Sequence, residues 1–348
     1  MGVCRNSLID GKATPYEMLR DAQSTRRHIG YCDIAGEGNT IADCTDNGIT
    51  DANLKDALQM MPASVEVLFL SGNVGITDIG GAIFKNNLKK PENLKALLAN
   101  DLLITSLPSD TLEGLSGLQI FDVDNNPGIT GQLPENLLEH TPLLKEFSIF
   151  QSALEDSSDG AYDAYPENLL QPTPNLDRLV VYGYPNVEVP DGTPLWEIIG
   201  ITIGVTGFAP NFFKGLEKLE FLSAVFNNIK QESMDGNDFS DLKSVLFFDW
   251  FGNSRVNYFN PDWFNKTSGG GLPTDTIIRL AFWDETSPPG RIAGDLTMDD
   301  DTLAGNENSI FKKYSWPALE VAYFHNQGVK NIDIDQFLEL PNFASLTV

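Results

Sequence analysis

Nine residues, Leu118-Gln-Ile-Phe-Asp-Val-Asp-Asn-Asn126, constrain the fold of this chain more than any other stretch. Leu118, Phe121, Val123 and Asn126 occupy the fixed places of the pattern L-x-x-L-x-L-x-x-N, and the pattern recurs. Val65, Leu68, Leu70 and Asn73 fill the same places, as do Leu219, Leu222, Ala224 and Asn227, and Val245, Phe248, Trp250 and Asn253. Looser copies begin at Leu94, Leu144, Leu176, Ile277 and Leu319, and Phe343, Leu346 and Val348 begin one more. In a short strand alternate side chains point to opposite faces, so the apolar places face inward. The Asn amide can hydrogen-bond backbone groups where the chain turns away. One such unit cannot bury its own apolar face. Neighbours therefore stack and pair their strands into a parallel sheet, and the residues between the fixed places face outward from it.

The units that start at Val65, Leu94, Leu118, Leu144 and Leu176 are unequal in length. Between Leu176 and Lys218 the register stays open, because a second unit there can start at Leu195 or at Ile201. Extra residues collect in Glu155-Asp-Ser-Ser-Asp-Gly-Ala-Tyr-Asp163, in Ser287-Pro-Pro-Gly290 and in Leu296-Thr-Met-Asp-Asp-Asp-Thr302. Such insertions map to loops on one side of a repeat array, often a binding side.

Leu107-Pro108, Leu133-Pro134, Val189-Pro190 and Ala209-Pro210 stand before apolar runs, and Ile129-Thr-Gly-Gln-Leu-Pro134 carries the fullest version of this signature. Together with the nine-residue pattern, these stretches resemble the leucine-rich repeat family over residues 39–348. The resemblance is loosest at the subtype, the plant-type repeats of receptor-like kinases, receptor-like proteins and secreted inhibitors of pectin-degrading enzymes. Uneven periods and an acidic bias depart from that subtype. The resemblance implies an α/β leucine-rich repeat solenoid, with a curved parallel sheet on the concave side and short helices or loops on the convex side. It also implies recognition of a protein, peptide or glycan, usually outside the cell and without catalysis.

The pattern predicts about eleven units behind an N-terminal cap. Residues 1–64 are expected to form that cap together with a degenerate first repeat, Ala42, Cys44, Asn47 and Ile49, and residues 65–348 the repeats, the last incomplete. Tyr16 to His28 mix charge with Met18, Leu19 and Ala22, which predicts a capping helix laid across the first repeat. The three cysteines, Cys4, Cys32 and Cys44, all lie at this end. Cysteines confined to one end of an array predict a stapled cap, with a Cys32–Cys44 disulfide and Cys4 left over or paired elsewhere; three buried thiols in a cytosolic protein are the alternative. At the other end, a strand that breaks off at Val348 predicts either a natural chain that continues or association end to end or side by side through the uncapped last repeat.

A hydrophobic content of 41% and a charged content of 21% describe a folded protein. The formal net charge of -26, from 49 acidic and 23 basic residues, disfavours nucleic acid and anionic membranes as partners. No apolar run is long enough to span a membrane. The first residues lack the apolar core of a signal peptide, so a secreted or surface protein would have lost its leader; the alternative location is cytoplasmic. Asn265-Lys-Thr267 is the one N-glycosylation sequon.

Candidate binding residues come from the outward places of the strands. Down the array, the place after the sixth residue of each strand pattern gives Phe150, Tyr182, Phe251, Trp283 and His325 in the later repeats, and the place two earlier gives Tyr323. Phe247 lies one further alternation back on its strand. Exposed aromatics on a rigid sheet suit anchors for a protein or platforms for a sugar. Asp122 and Asp124 share one face and, with Asp299, Asp300 and Asp301, are weak candidates for a metal, although no EF-hand spacing is present. His28, His140 and His325 carry no metal-ligand or triad motif, and no G-x-S-x-G, P-loop or H-E-x-x-H occurs. The sequence therefore points to a binding module without a cofactor, whose ligand is a protein or peptide held on the concave face. A carbohydrate-binding wall protein and a cytosolic scaffold or inhibitor are the alternatives.

Overall fold

A computed structural model describes residues 9, 13–149, 152–154, 164–182, 184–185, 202–203, 205–225, 229–236, 239–250, 261–264, 271–281, 310–323 and 335–347. The chain falls into two compact units, Met1–Ala153 with Asn168–Val180, and Leu154–Glu167 with Val181–Val348.

Unit 1 is built on a ladder of short strands. β1 (Arg27–Ile29) and β2 (Cys32–Ala35) form an antiparallel hairpin, and β2 pairs antiparallel with β3 (Ile41–Asp43). From β3 onward the pairing is parallel, through β4 (Val67–Phe69), β5 (Ala96–Leu98) and β6 (Ile120–Asp122) to β7 (Glu146–Ile149). β8 (Arg178–Tyr182) follows β7 in the sheet. The register does not slip: Ala42, Leu68, Leu97, Phe121 and Phe147 stand level and are fully buried. These are the fourth places of the nine-residue pattern, or in Ala42 its degenerate form. Their alternation with outward residues puts one inter-repeat core on one side of the sheet.

The asparagines tie neighbouring repeats together. Asn126 Nδ2 donates to the carbonyls of Ala99 and Val123, each at 2.9 Å, so one amide caps its own strand and the preceding one. Asn73 does the same with Cys44 O and Leu70 O, and its Oδ1 accepts from Ile49 N at 2.9 Å. Asn47, in the degenerate repeat, does not share this role: it is exposed and donates to Tyr31 O. Opposite the sheet lie α2 (Leu54–Met60) and α3 (Ile83–Asn87), which bury Leu54, Ala57, Leu58, Ile83 and Phe84 against the core. They are short because each spans only the return to the next strand. Repeat spacing there is tight: a Cβ on Gly117 would stand 2.3 Å from Glu92 O.

α1 (Pro15–Asp21) begins with a capping box, in which Glu17 N donates to Thr14 Oγ1 and Thr14 N to the Glu17 carboxylate. The helix is shorter than the sequence predicts, giving way to a 3-10 turn at Gln23–Thr25 and then to β1. It lies across the first repeats on the outward face of the sheet, where Tyr16, Met18 and Leu19 pack with Ile9 and Ala22 over Ile41, Val67, Phe69, Ala96, Leu98 and Ile120. The reason is in the outward places themselves. In these repeats they are apolar, and an uncovered patch of that kind is unfavourable in water.

Unit 2 repeats the ladder with β9 (Phe221–Val225), β10 (Phe247–Asp249), β11 (Arg279–Ala281), β12 (Val321–Tyr323) and β13 (Ser345–Thr347), all parallel. Leu222, Phe248, Leu280, Ala322 and Leu346 are level. Its core is aromatic: Phe208 stacks on Phe212 with centroids 4.9 Å apart, and Phe248 on Trp250 at 5.2 Å. Tyr165, Phe213 and Phe239 complete that cluster, and Trp316 packs with Phe264 and Phe311 further along. Big rings fill the larger volume left where the strand pattern is spelled with Phe and Trp rather than Leu.

Candidate functional site

The outward face of the sheet has opposite character in the two units. In unit 1 the row Ile41, Val67, Ala96, Ile120, Glu146 is buried throughout. In unit 2 the equivalent row, Phe221, Phe247, Arg279, Val321 and Ser345, is half-buried to exposed. Phe221 and Phe247 face each other across β9 and β10 with ring centroids 5.9 Å apart. Next to them the Arg279 guanidinium lies 3.1 Å from the Asp249 carboxylate, a diagonal pair on neighbouring strands. In the row two residues along Ser223, Asp249 and Ala281 are buried, so among the described residues the accessible part of this face is an aromatic pair, an arginine, a valine and a serine in line. Aromatic and arginine side chains on a rigid strand surface can anchor a ligand by burial and directed hydrogen bonds.

Of the residues singled out from sequence, Phe247 is placed in this row. Tyr182 and Tyr323 are described as strand backbone only. Phe150, Phe251, Trp283, His325, Asn265, Asp299, Asp300 and Asp301 lie outside the described residues, as does Cys4. Phe221, Arg279 and Val321 were not singled out from sequence; the signal that finds them is their shared place in the pattern with Phe247, four residues before the column of Phe251 and Trp283 and two before that of Tyr323. The aspartates Asp122 and Asp124, weak metal candidates on one outward face, are closed to solvent. Asp124 N donates to Asp122 Oδ1 at 3.0 Å, and Ser148 Oγ donates to Asp124 Oδ1 at 2.6 Å. Burial, and then the adjacent Asp124, push the Asp122 carboxyl well above its ordinary range. Among the described residues no three His, Cys, Asp or Glu side chains are grouped to hold a metal.

Cys32 and Cys44 form a disulfide that fastens β2 to the residue after β3. Arg26 adds an ion pair to Asp33 at 3.1 Å and a second to Asp43 on β3. On the helical side, a cleft of about 390 Å³ is lined by Asp51, Lys55, Asp78 and Asn86 among others, and Asp51 is there already engaged by Thr77. No helix among the described residues is long and apolar enough to cross a membrane.

A parallel sheet of pattern-spaced strands, asparagine caps and short return helices define a leucine-rich repeat fold, and one solved structure with a TM-score above 0.5 agrees. A chain of the octameric complex of Latrophilin 3, Unc5D and the leucine-rich repeats of FLRT2 is similar with a TM-score of 0.51 and 16% identity, over 91% of this chain and 82% of that one. The functional domain of InlJ from Listeria monocytogenes matches at 0.43 and 15%, over 89% of this chain and 53% of that one. A chain of the Toll–Spatzle complex of Drosophila matches at 0.41 and 13%, over 86% and 28%. No protein-family model matches the chain. No curated protein matches it by sequence.

Proposed function

We propose that the chain is a non-catalytic recognition module that holds a protein or peptide on the outward face of unit 2. The observation that carries this reading is the half-buried Phe221–Phe247 pair in line with Arg279 and Val321, in a row that unit 1 covers with its own N-terminal segment. Unit 1 thereby supplies an example of a ligand: a short helix with aromatic and aliphatic side chains laid on strands. A location outside the cell is supported by the Cys32–Cys44 disulfide, since such bonds persist in oxidising compartments. The FLRT2 complex supports the reading by analogy, as a fold of this kind held among protein partners.

The test is selection of a displayed random-peptide library on the full chain, followed by binding of the selected peptides to variants. Phe247→Ala should weaken binding by roughly 2 kcal/mol or more, as for a central aromatic anchor. Leu338→Ala, at an exposed position away from the row, should leave it unchanged. Peptides that bind both variants as they bind the parent chain would place the recognition face elsewhere.

A further inference from the structure

On the helical side of unit 1, the returns of two successive repeats leave a cleft of about 390 Å³. Asp51 and Lys55 line it from the first return, and Asp78, Ile83, Asn86 and Asn87 from the second. Hydrogen bonds hold most of these side chains in place. Asp51 accepts from Thr77 N at 2.8 Å and from the Thr77 hydroxyl at 2.5 Å. Burial pulls its carboxyl up, but these bonds and one from Asp78 N outweigh it and hold the group below its ordinary range. Asp78 Oδ1 accepts from Gly80 N at 2.7 Å, and its Oδ2 has no donor among the described residues. Asn86 Nδ2 donates to Gly81 O at 3.2 Å, which leaves its Oδ1 uncommitted. Asn87 joins the two returns, accepting from Gln59 Nε2 at 2.9 Å and donating to Ile83 O at 2.8 Å. The exposed Lys55 makes no ion pair with a described residue.

What this cleft can hold follows from its charges and its spare atoms. Two carboxylates repel an anion, and the Lys55 ammonium repels a cation, so a neutral ligand fits best. The spare atoms are two acceptors, Asp78 Oδ2 and Asn86 Oδ1, and the donors of Lys55. A hydroxyl both donates and accepts, so a ring that carries several of them can satisfy acceptors and donor together. Ile83 adds an apolar contact for the C–H face of such a ring. Ligand sites run from about 300 to 1,000 Å³, and this cleft stands near the lower end, which suits a small ring. Side chains already fixed by hydrogen bonds lose little freedom when a ligand arrives.

We propose that the cleft binds a neutral polyhydroxylated ring, one monosaccharide unit, either free or at the end of a glycan. Asp78 and Asn86 accept from its hydroxyls, and Lys55 donates to one of them. No segment has to move to admit it, since Asp51, Lys55, Asp78 and Asn86 are all exposed. The site lies within unit 1 and needs no part of the Phe221–Phe247 row, so it stands or falls separately from the peptide reading.

The experiment is saturation-transfer difference NMR of the full chain with methyl glycosides of glucose, galactose, mannose and N-acetylglucosamine, and with cyclohexanol, a ring that has a single hydroxyl. At least one glycoside should bind saturably with a Kd on the order of millimolar, because exposed hydrogen bonds gain little net. Cyclohexanol should not bind. Lys55→Met and Asn86→Ala should each weaken the glycoside by roughly twofold to tenfold, the size of one lost hydrogen bond. Lys89→Met, exposed and outside the cleft, and Phe247→Ala should leave it unchanged. No saturable glycoside, equal affinity for cyclohexanol, or an affinity unchanged in either cleft variant would overturn the proposal. So would loss of binding in Phe247→Ala, which would move the sugar to the unit 2 row. Binding of glycine that depends on Lys55 and Asn86, with no glycoside bound, would make the ligand a zwitterion and overturn the sugar. Should Asn86→Ala not fold, Lys55→Met, at an exposed position, decides alone. A glycan array probed with the same chain then separates the sources: spots that end in the bound sugar show a glycan terminus, and blank spots a free sugar.

Discussion

The ring of Tyr16 meets that of Phe69 edge-on, with centroids 5.3 Å apart, so the first helix is fastened to the outward face of β4. A double-mutant cycle of Tyr16→Ala and Phe69→Ala should give a coupling of about 0.5–1.5 kcal/mol in urea unfolding. Strictly additive losses would mean that the helix does not rest there.

Phe247 and Phe248 are adjacent and face opposite ways, one half-buried on the outward face and one at 0% exposure in the core. Phe248→Ala should cost about 3–5 kcal/mol of stability. Phe247→Ala should cost less than half of that, although it is the variant expected to lose the ligand. Equal losses in denaturation would reverse the assignment of faces.

Asn126 satisfies the carbonyls of two successive repeats, so Asn126→Ala leaves both without that donor in a buried setting. The expected loss is about 1–3 kcal/mol, read as a lower urea midpoint. Asn47→Ala, in the degenerate repeat, should stay within about 0.5 kcal/mol because its amide is exposed.

Asp122 keeps its proton in the folded chain at pH values where the unfolded chain has lost it. The native state therefore binds more protons over that window. Stability declines as pH rises from near the unfolded value of 3.8 through the raised folded value, and the full penalty stands above it. Asp122→Asn should remove this part of the slope and raise the urea midpoint at neutral pH; a steeper decline in the variant would contradict the burial of the carboxyl.

Reduction of Cys32–Cys44, or Cys32→Ser with Cys44→Ser, should lower stability by about 2–4 kcal/mol by freeing the unfolded chain. Paired denaturation curves with and without reductant measure it. No difference would show that the bond adds nothing to the hairpin it closes.

Much of this fold was legible because it is spelled locally. The places of Leu118, Phe121, Val123 and Asn126 fix strand, register and cap within one unit, and the same letters fix them in the next. The disulfide was legible for a related reason, since cysteines confined to one end have few partners. What the pattern does not carry is how far-apart segments meet. A helix over the first repeat was legible from Tyr16 to His28, but nothing near Ala96, Leu98 or Ile120 says that this segment packs in one cluster with them, so the outward places of the early repeats read as open when they are covered. That Asp122 and Asp124 would be closed to solvent was not legible for the same cause. On the candidate face, Phe247 was reachable from sequence, but Phe221 and Arg279 needed the strand register that sets them beside it.

The cover over β3 to β6 also has a consequence for how the molecule is made. Residues from Ile9 to Ala22 leave the ribosome before the strands they rest on exist, and Ile120, at the far side of the cluster, emerges much later. An array whose repeats can each settle on the previous one would grow steadily from its start. Here Tyr16, Met18, Leu19 and Ala22 have to wait, apolar side chains with no complete surface to receive them. Nascent chains halted before β6 should thus be open to proteases around Tyr16 to Ala22 rather than at their growing end.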